Sequence, residues 1–268
     1  MLEVFSRHTK AFCDLRFQKS CIGSRRRKHI GSPKRLPAVK CDVMTIATEP
    51  LSSAAVDQLG ERLRKLLTVE DLRLLDQYRR EFGSDYATVV ASVRDALGLE
   101  ASGRPAKSTT AIVEKLNRGS MRLSQMQDIA GCRVIVADTL VQDAVVSQLA
   151  TLFPSTIMDR RQKPSHGYRA VHVVVRPMKR PIEVQVRTVL QHLWAEFSEK
   201  AADAYGIDVK YGGGDTPIRN LLQSASEMVA SYEGLEPRKE QLGDKLAVLR
   251  IDIEHTLLKF LGIEKEPQ

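Results

Sequence analysis

From Ser52 onward, apolar residues recur three and four positions apart as Val56, Leu59, Leu63 and Leu66. That spacing gathers them on one side of a helix, and Ser52 ahead of them can cap its first turn. Leu72, Leu75, Tyr78 and Phe82 continue the pattern as a second helix, and Tyr86 to Leu97 reads as a third. Gly98 and the stretch ASGRP then break the chain. A further helix is expected from Ser108 to Arg118, with Ile112, Val113 and Leu116 on its apolar side.

The period then alternates. Cys132 to Ala137 (CRVIVA) reads as a buried strand, Val141 to Leu152 as a helix, and Thr156 to Arg160 as a short strand. Tyr168 to Arg176 and Ile182 to Arg187 form two more strands around the turn-like PMKRP. Val189 to Ala204 follows as a long helix with Leu193, Trp194 and Phe197 inward, and KYGGG at 210–214 ends that part as a flexible stretch. The order predicts an α/β fold: a mixed β-sheet flanked by helices, with helical extensions at both ends. In the last segment Leu242, Leu246, Leu249, Ile253, Leu257 and Phe260 form a nearly heptad stripe. The stripe either packs on the body or serves as a seam for a homo-oligomer.

Charge changes the picture of the ends. Residues 1–43 hold eleven Lys or Arg against three acids, whereas the rest carries thirty of each, so the net +8 belongs to the N-terminal segment. Its RRRK run at 25–28 reads as a solvated, disordered extension or as upstream sequence included by an early start; a nucleic-acid or targeting arm is the alternative. The expected division is 1–43 extension, 44–100 N-terminal helices, 101–214 core and 215–268 C-terminal helices. Hydrophobic residues make up 43% of the chain, enough for a buried core, and no apolar run approaches the length of a membrane span. No membrane association is expected, and the cytoplasm is the expected location. Cys13, Cys21 and Cys41 are spaced too irregularly for a zinc site, and Cys132 reads as a buried, inert thiol.

No phosphate-binding GxxxxGK[ST] loop, GxGxxG turn or HExxH pair is present. Nucleotide chemistry here would need side-chain cations and a carboxylate-held metal, and four blocks supply them. In GRPAKSTTAIVEKLNR, Lys107, Lys115 and Arg118 surround a helix start where an anion is favoured. In QDIAGCRVIVAD, Asp128 stands at a strand entrance suited to Mg2+, and Arg133 lies inside the strand. In KPSHGYRAVH, Gly167 gives close backbone access next to Tyr168, whose ring can stack on a base. In PIEVQVRT, Glu183, Gln185 and Arg187 alternate with Ile182, Val184 and Val186, so the polar groups share one strand face. Burying three polar groups without partners is costly, which argues for a lined cleft. A solvated helix face, a turn-capping aspartate and an ordinary strand-opening tyrosine are the plainer readings of the first three blocks.

Between Arg104 and Tyr205 the succession R-x-x-K, helix, DIAGCRVIV, HGYRAVH, EVQVRT and HLWAE resembles the synthetase domain of the RelA/SpoT family, including its small stand-alone members. The resemblance implies a nucleotidyltransferase-like mixed sheet that transfers the β,γ-pyrophosphate of ATP to the ribose 3′-hydroxyl of GDP or GTP, giving alarmones. It further implies that Asp128 and Glu183 hold Mg2+, with Glu183 also serving as general base. Arg104 and Arg133 would sandwich the adenine, and Lys107 and Lys115 would grip the ATP phosphates. Tyr168 would stack on the acceptor base, and His172, Gln185 and Arg187 would line the acceptor and phosphate site. No hydrolase motif is visible and no room remains for C-terminal regulatory domains, so a synthetase-only protein is expected.

The match departs from the family's usual pattern in places. The spacing RPAK sets Arg104 one residue out of register, and Ala111 replaces a serine. His166 and Ala170 replace an asparagine and a serine around GY, and Ser198 and Glu199 stand where Glu and His are usual. Most of these fall on the acceptor side. Two other readings therefore stay open: transfer to an adenine nucleotide or to the 3′ end of tRNA, for which the RRRK arm is suited, and a catalytically silent regulatory module.

Overall fold

A computed structural model describes residues 49–262; the basic segment 1–43, with its RRRK run and its suggested tRNA role, lies outside the described residues. Three helices come first: α1 (Ser53–Lys65), α2 (Val69–Arg80) and α3 (Gly83–Leu97). Ser52 caps α1 by accepting from the Ala55 N–H, and Val56, Leu59 and Leu63 are buried. Leu66, expected inward, is instead the extended residue that ends α1 and is 73% exposed. Its basic last turn and the following capped α2 stop the helix before the pattern does. Leu72 is likewise exposed, while Phe82 is buried in the turn between α2 and α3 with its ring edge-on to Tyr78.

ASGRP is more than a break, because Ala101–Arg104 is a strand, β1, antiparallel to β2 (Gly131–Val136). It shows no hydrophobic alternation because it is an edge strand facing solvent. Gly103 is what lets it lie close, since a Cβ there would stand 2.6 Å from the Cys132 Cα. Helix α4 (Thr109–Arg118), capped by Ser108, lies between β1 and β2 in sequence; α5 (Thr139–Leu152), β3 (Ser155–Asp159), β4 (Val171–Val175) and β5 (Ile182–Thr188) follow β2. β4 begins at Val171 and not at Tyr168, because residues 165–168 form a turn in which Tyr168 and Ser165 exchange backbone hydrogen bonds.

The five strands run in the order β1-β2-β5-β4-β3, with β2 and β5 parallel and the other neighbours antiparallel. Val134, Val136, Val171, Val173, Val175, Val184 and Val186 sit in one apolar cluster with residues of α1 to α5. The intervening residues Arg133, His172, Glu183 and Gln185 occupy the opposite face, as period two requires.

Helix α6 (Val189–Tyr205) leaves β5 at Thr188, and α7 (Thr216–Leu235) and α8 (Asp244–Phe260) pack with it around a second cluster including Trp194, Leu222 and Leu257. KYGGG is not a loose end: Ile207–Tyr211 is a 3-10 turn, and Arg219 donates to the Gly212 carbonyl at 3.0 Å. Of the C-terminal stripe, Leu246, Ile253 and Leu257 are buried on the body, while Leu249 and Phe260 remain exposed, Phe260 stacked on Phe197. Among the described residues no helix is long and apolar enough to cross a membrane.

The β4–β5 hairpin is clamped from below. Buried Asp85 on α3 accepts from the backbone N–H groups of Met178 and Lys179, at 2.9 and 3.1 Å. Asp85→Ala strands both donors, and its stability in urea is expected to drop by about 1–3 kcal/mol. An unchanged midpoint would show that water replaces the clamp.

Candidate active site

Register decides what meets on the polar face. Gly131 lies level with Glu183 and Arg133 with Gln185 across the parallel β2–β5 pair, while His172 lies level with Gln185 across β4–β5. Ser102 faces Arg133 and Arg104 faces Gly131 on β1, so Arg104 and Arg133 share this face too. Asp128 enters just ahead of β2, three residues before the partner of Glu183. The two carboxylates thus come to the same end of adjoining strands, and the charge of Asp128 is felt at Glu183.

Asp128 is flanked by cations. Lys107 Nζ donates to Oδ2 at 2.6 Å, and Lys115 Nζ lies 2.8 Å from Oδ1. Lys107 sits immediately before the capped start of α4, with its backbone N–H bonded to the Ile129 carbonyl at 2.7 Å; Lys115 is two turns along the same helix. Burial works to raise the pKa of Asp128, but the ammonium charges of Lys115 and Lys107 outweigh it and hold the carboxyl below its usual range.

Glu183 belongs to a closed ring of hydrogen bonds. Its Oε1 is 2.9 Å from His172 Nδ1, and its Oε2 accepts from Gln185 Nε2 at 2.8 Å. The Gln185 Oε1 accepts from Arg187 Nη2 at 2.8 Å, which also donates to the Tyr168 hydroxyl at 3.0 Å. That hydroxyl lies 2.8 Å from His172 Nε2 and completes the ring. Burial pushes the pKa of Glu183 upward, yet the hydrogen bond and charge of His172 prevail and lower it. The same burial raises the Tyr168 phenol, with Arg187 acting against it. On the opposite face of β2, burial and the Glu183 charge push the Cys132 thiol up to about 12, consistent with an inert thiol.

Two placements differ in kind from what spacing suggests. Gly167 does not open space for a ligand; it faces Trp194, whose ring a Cβ would meet at 2.7 Å. Its neighbour His166 has φ 51°, a left-handed conformation that asparagine and histidine enter more readily than most side chains.

A residue that carried no assigned role also stands in the site. Glu196 on α6 accepts from Arg133 Nη1 at 3.2 Å, reaching from the second apolar cluster across to the sheet. Only its place in HLWAE, one turn past His192, hinted at it.

Beneath the ring, the β5–α6 junction is fixed by a buried polar network. Glu233 accepts from Thr188 Oγ1 at 2.7 Å and from Gln191 Nε2 at 3.0 Å, and Gln191 Oε1 accepts from Gln142 at 2.8 Å. Burial raises the pKa of Glu233 despite these donors. A raised folded-state value means that its contribution is complete below the ordinary 4.5 and is lost as pH rises through the folded value. Glu233→Gln is therefore expected to flatten the decline in stability on that alkaline side, read from urea midpoints across a pH series. A wild-type and variant decline of equal steepness would contradict this.

Residues 103–208 match the pattern described as the region found in RelA / SpoT proteins. The chain carries a RelA/SpoT region. All ten residues of the polar constellation, Arg104, Lys107, Lys115, Asp128, Arg133, Tyr168, His172, Glu183, Gln185 and Arg187, fall inside it. An uncharacterized protein of Mycobacterium tuberculosis is 44% identical over 146 residues, covering 48% of this chain and 53% of that protein. The chain thus spans about half the length of that relative. A GTP pyrophosphokinase of Photobacterium angustum is 27% identical over 184 residues, 62% of this chain and 25% of that one. Among solved structures, the small alarmone synthetase 1 of Bacillus subtilis bound to its product pppGpp aligns with a TM-score of 0.48 at 22% identity, over 70% of this chain and 100% of the other. The RelA/SpoT region runs from the second half of β1 through β2 to β5, with α4, α5 and the whole of α6.

Proposed function

We propose that this chain transfers the β,γ-pyrophosphate of ATP to the ribose 3′-hydroxyl of GDP or GTP. The observation that carries the reading is the placement of two carboxylates, Asp128 and Glu183, at one end of adjoining strands, with Lys107 and Lys115 on Asp128 and with Gln185 linking Glu183 to Arg187. Transfer of this class depends on positioning and charge neutralisation more than on covalent help.

The donor set suits a hard divalent cation. Among the described residues no cluster of three or more His, Cys, Asp or Glu exists, as a zinc or calcium cage would need. Two carboxylates are what Mg2+ takes when phosphates and water complete its shell, so Asp128 and Glu183 would hold it. Bound there, Mg2+ would neutralise phosphate charge and polarise the reacting oxygen. Lys107 and Lys115 would grip the donor phosphates, and Arg104 and Arg133 would enclose the adenine. Tyr168 would stack on the acceptor base, with His172, Gln185 and Arg187 against its sugar and phosphates. The 3′-oxygen would attack the β-phosphorus while its proton passes to Glu183. The bond from that phosphorus to the α,β-bridging oxygen breaks, and AMP leaves. With its pKa lowered, Glu183 is fully ionised but weakly basic, and the metal would share in activating the hydroxyl.

Tyr168 offers a test of the proposed division between donor and acceptor sides. Tyr168→Ala is expected to raise the KM for the acceptor about tenfold while leaving that for ATP within about twofold, since base stacking is worth about 1–3 kcal/mol. Steady-state kinetics with each substrate varied in turn checks this; equal rises in both constants would place the ring elsewhere.

Acceptor identity is tested by incubating the chain with γ-labelled ATP, Mg2+ and, separately, GDP, GTP, adenine nucleotides or tRNA. Label on a guanine nucleotide supports the proposal. Label on an adenine nucleotide or tRNA alone would replace the acceptor, and label on none of them would contradict the reading.

A further inference from the structure

Asp128 is the carboxylate on which the proposed metal site depends, yet both of its oxygens face ammonium groups. Lys107 Nζ stands 2.6 Å from one and Lys115 Nζ 2.8 Å from the other. The arrangement is built into the fold. Lys107 is tied beside the turn that carries Asp128 by its own backbone hydrogen bond to Ile129, and it is only 9% exposed. An ammonium that buried is costly without a partner, so it holds its carboxylate firmly.

A divalent cation arriving alone has little to offer in exchange. It would be repelled by two ammonium charges within a few ångströms, and among the described residues no group of three His, Cys, Asp or Glu is placed to cage it. A polyphosphate changes both terms at once. Its oxygens accept the displaced lysines, and they also complete the shell of a cation held by few protein ligands.

We infer that Lys107 and Lys115 lock Asp128 against a divalent cation until a polyphosphate draws the two ammonium groups onto itself, so that metal and nucleotide enter as one unit. The inference rests on the proposed reading of Asp128 as a metal ligand. Each ligand then raises the affinity of the other by the same factor.

Mn2+ is the probe, its free concentration read by electron paramagnetic resonance on the full chain without nucleotide. Wild type should bind it weakly. Lys107→Met and Lys115→Met should each bind about tenfold more tightly, a shift of the size common for coupled sites. Adding Asp128→Asn to either variant should remove the gain. Lys115 is the more exposed of the two, so Lys115→Met keeps the test open if Lys107→Met fails to fold, as melting curves would reveal. Equal Mn2+ binding by wild type and lysine variants, abolished by Asp128→Asn, would overturn the lock and leave the metal assignment standing. Mn2+ binding that is indifferent to Asp128→Asn would overturn both.

Discussion

Pyrophosphate transfer by an Asp128→Ala variant is expected to fall about a thousandfold, equivalent to about 4 kcal/mol of transition-state stabilisation. The loss has two parts. The carboxylate that would hold the metal disappears, and the Lys107 ammonium, paired to it at 2.6 Å, is left nearly buried without its counter-charge. The second part costs stability as well as rate, so Asp128→Asn belongs beside it: the amide keeps the volume and one acceptor while removing the charge. Both variants should be comparably inactive and both should melt lower, the alanine further because it leaves the nearly buried Lys107 ammonium no acceptor at all. Activity within about tenfold of wild type in a folded Asp128→Asn protein would remove Asp128 from the chemistry.

Gly167→Ala should be the most damaging small substitution for the fold, with an expected loss of about 2–5 kcal/mol. At φ +87° the backbone is in the left-handed region, and the added Cβ would meet Trp194 Cζ2 at 2.7 Å and Ser226 Cβ at 3.2 Å. Neither neighbour can step aside cheaply. The indole Nε1 donates to the Leu222 carbonyl at 2.8 Å, and the Ser226 hydroxyl donates to the Gly167 carbonyl at 2.6 Å. Relief would push the turn outward and carry Tyr168 with it, breaking the ring that ends on Glu183. Urea unfolding of the variant is the check; a loss below about 0.5 kcal/mol would mean that the turn accommodates a side chain.

The sequence and the fold agree most closely where a period repeats long enough to leave one arrangement. Ile182 to Arg187 alternates through six residues, and β5 places Glu183 and Gln185 on one face and Val184 and Val186 on the other. Helix α4 was legible because Ile112 and Leu116 fall in step on its buried side. β1 was not, because ASGR is polar throughout and is a strand only by virtue of its partner β2. Leu66 misled because its N–H still bonds to the Arg62 carbonyl while its own backbone has turned extended, which carries the side chain out to solvent.

Within the site, motif order named the residues but not their present partners. That Lys107 and Lys115 both close on Asp128 depends on how α4 docks against the start of β2, which no spacing encodes. Glu196 meets Arg133 across 63 positions of chain, and Gly167 owes its identity to Trp194, 27 positions away. These are contacts between elements, and they become visible only after the elements have packed.

Phosphorus NMR of a reaction holding the purified chain, ATP, GDP and Mg2+ separates pyrophosphate transfer from every competing reaction. AMP is expected to appear in step with a guanine nucleotide bearing a new diphosphate on its 3′-oxygen. ADP with a singly phosphorylated acceptor, AMP with free pyrophosphate alone, or an unchanged spectrum would contradict it.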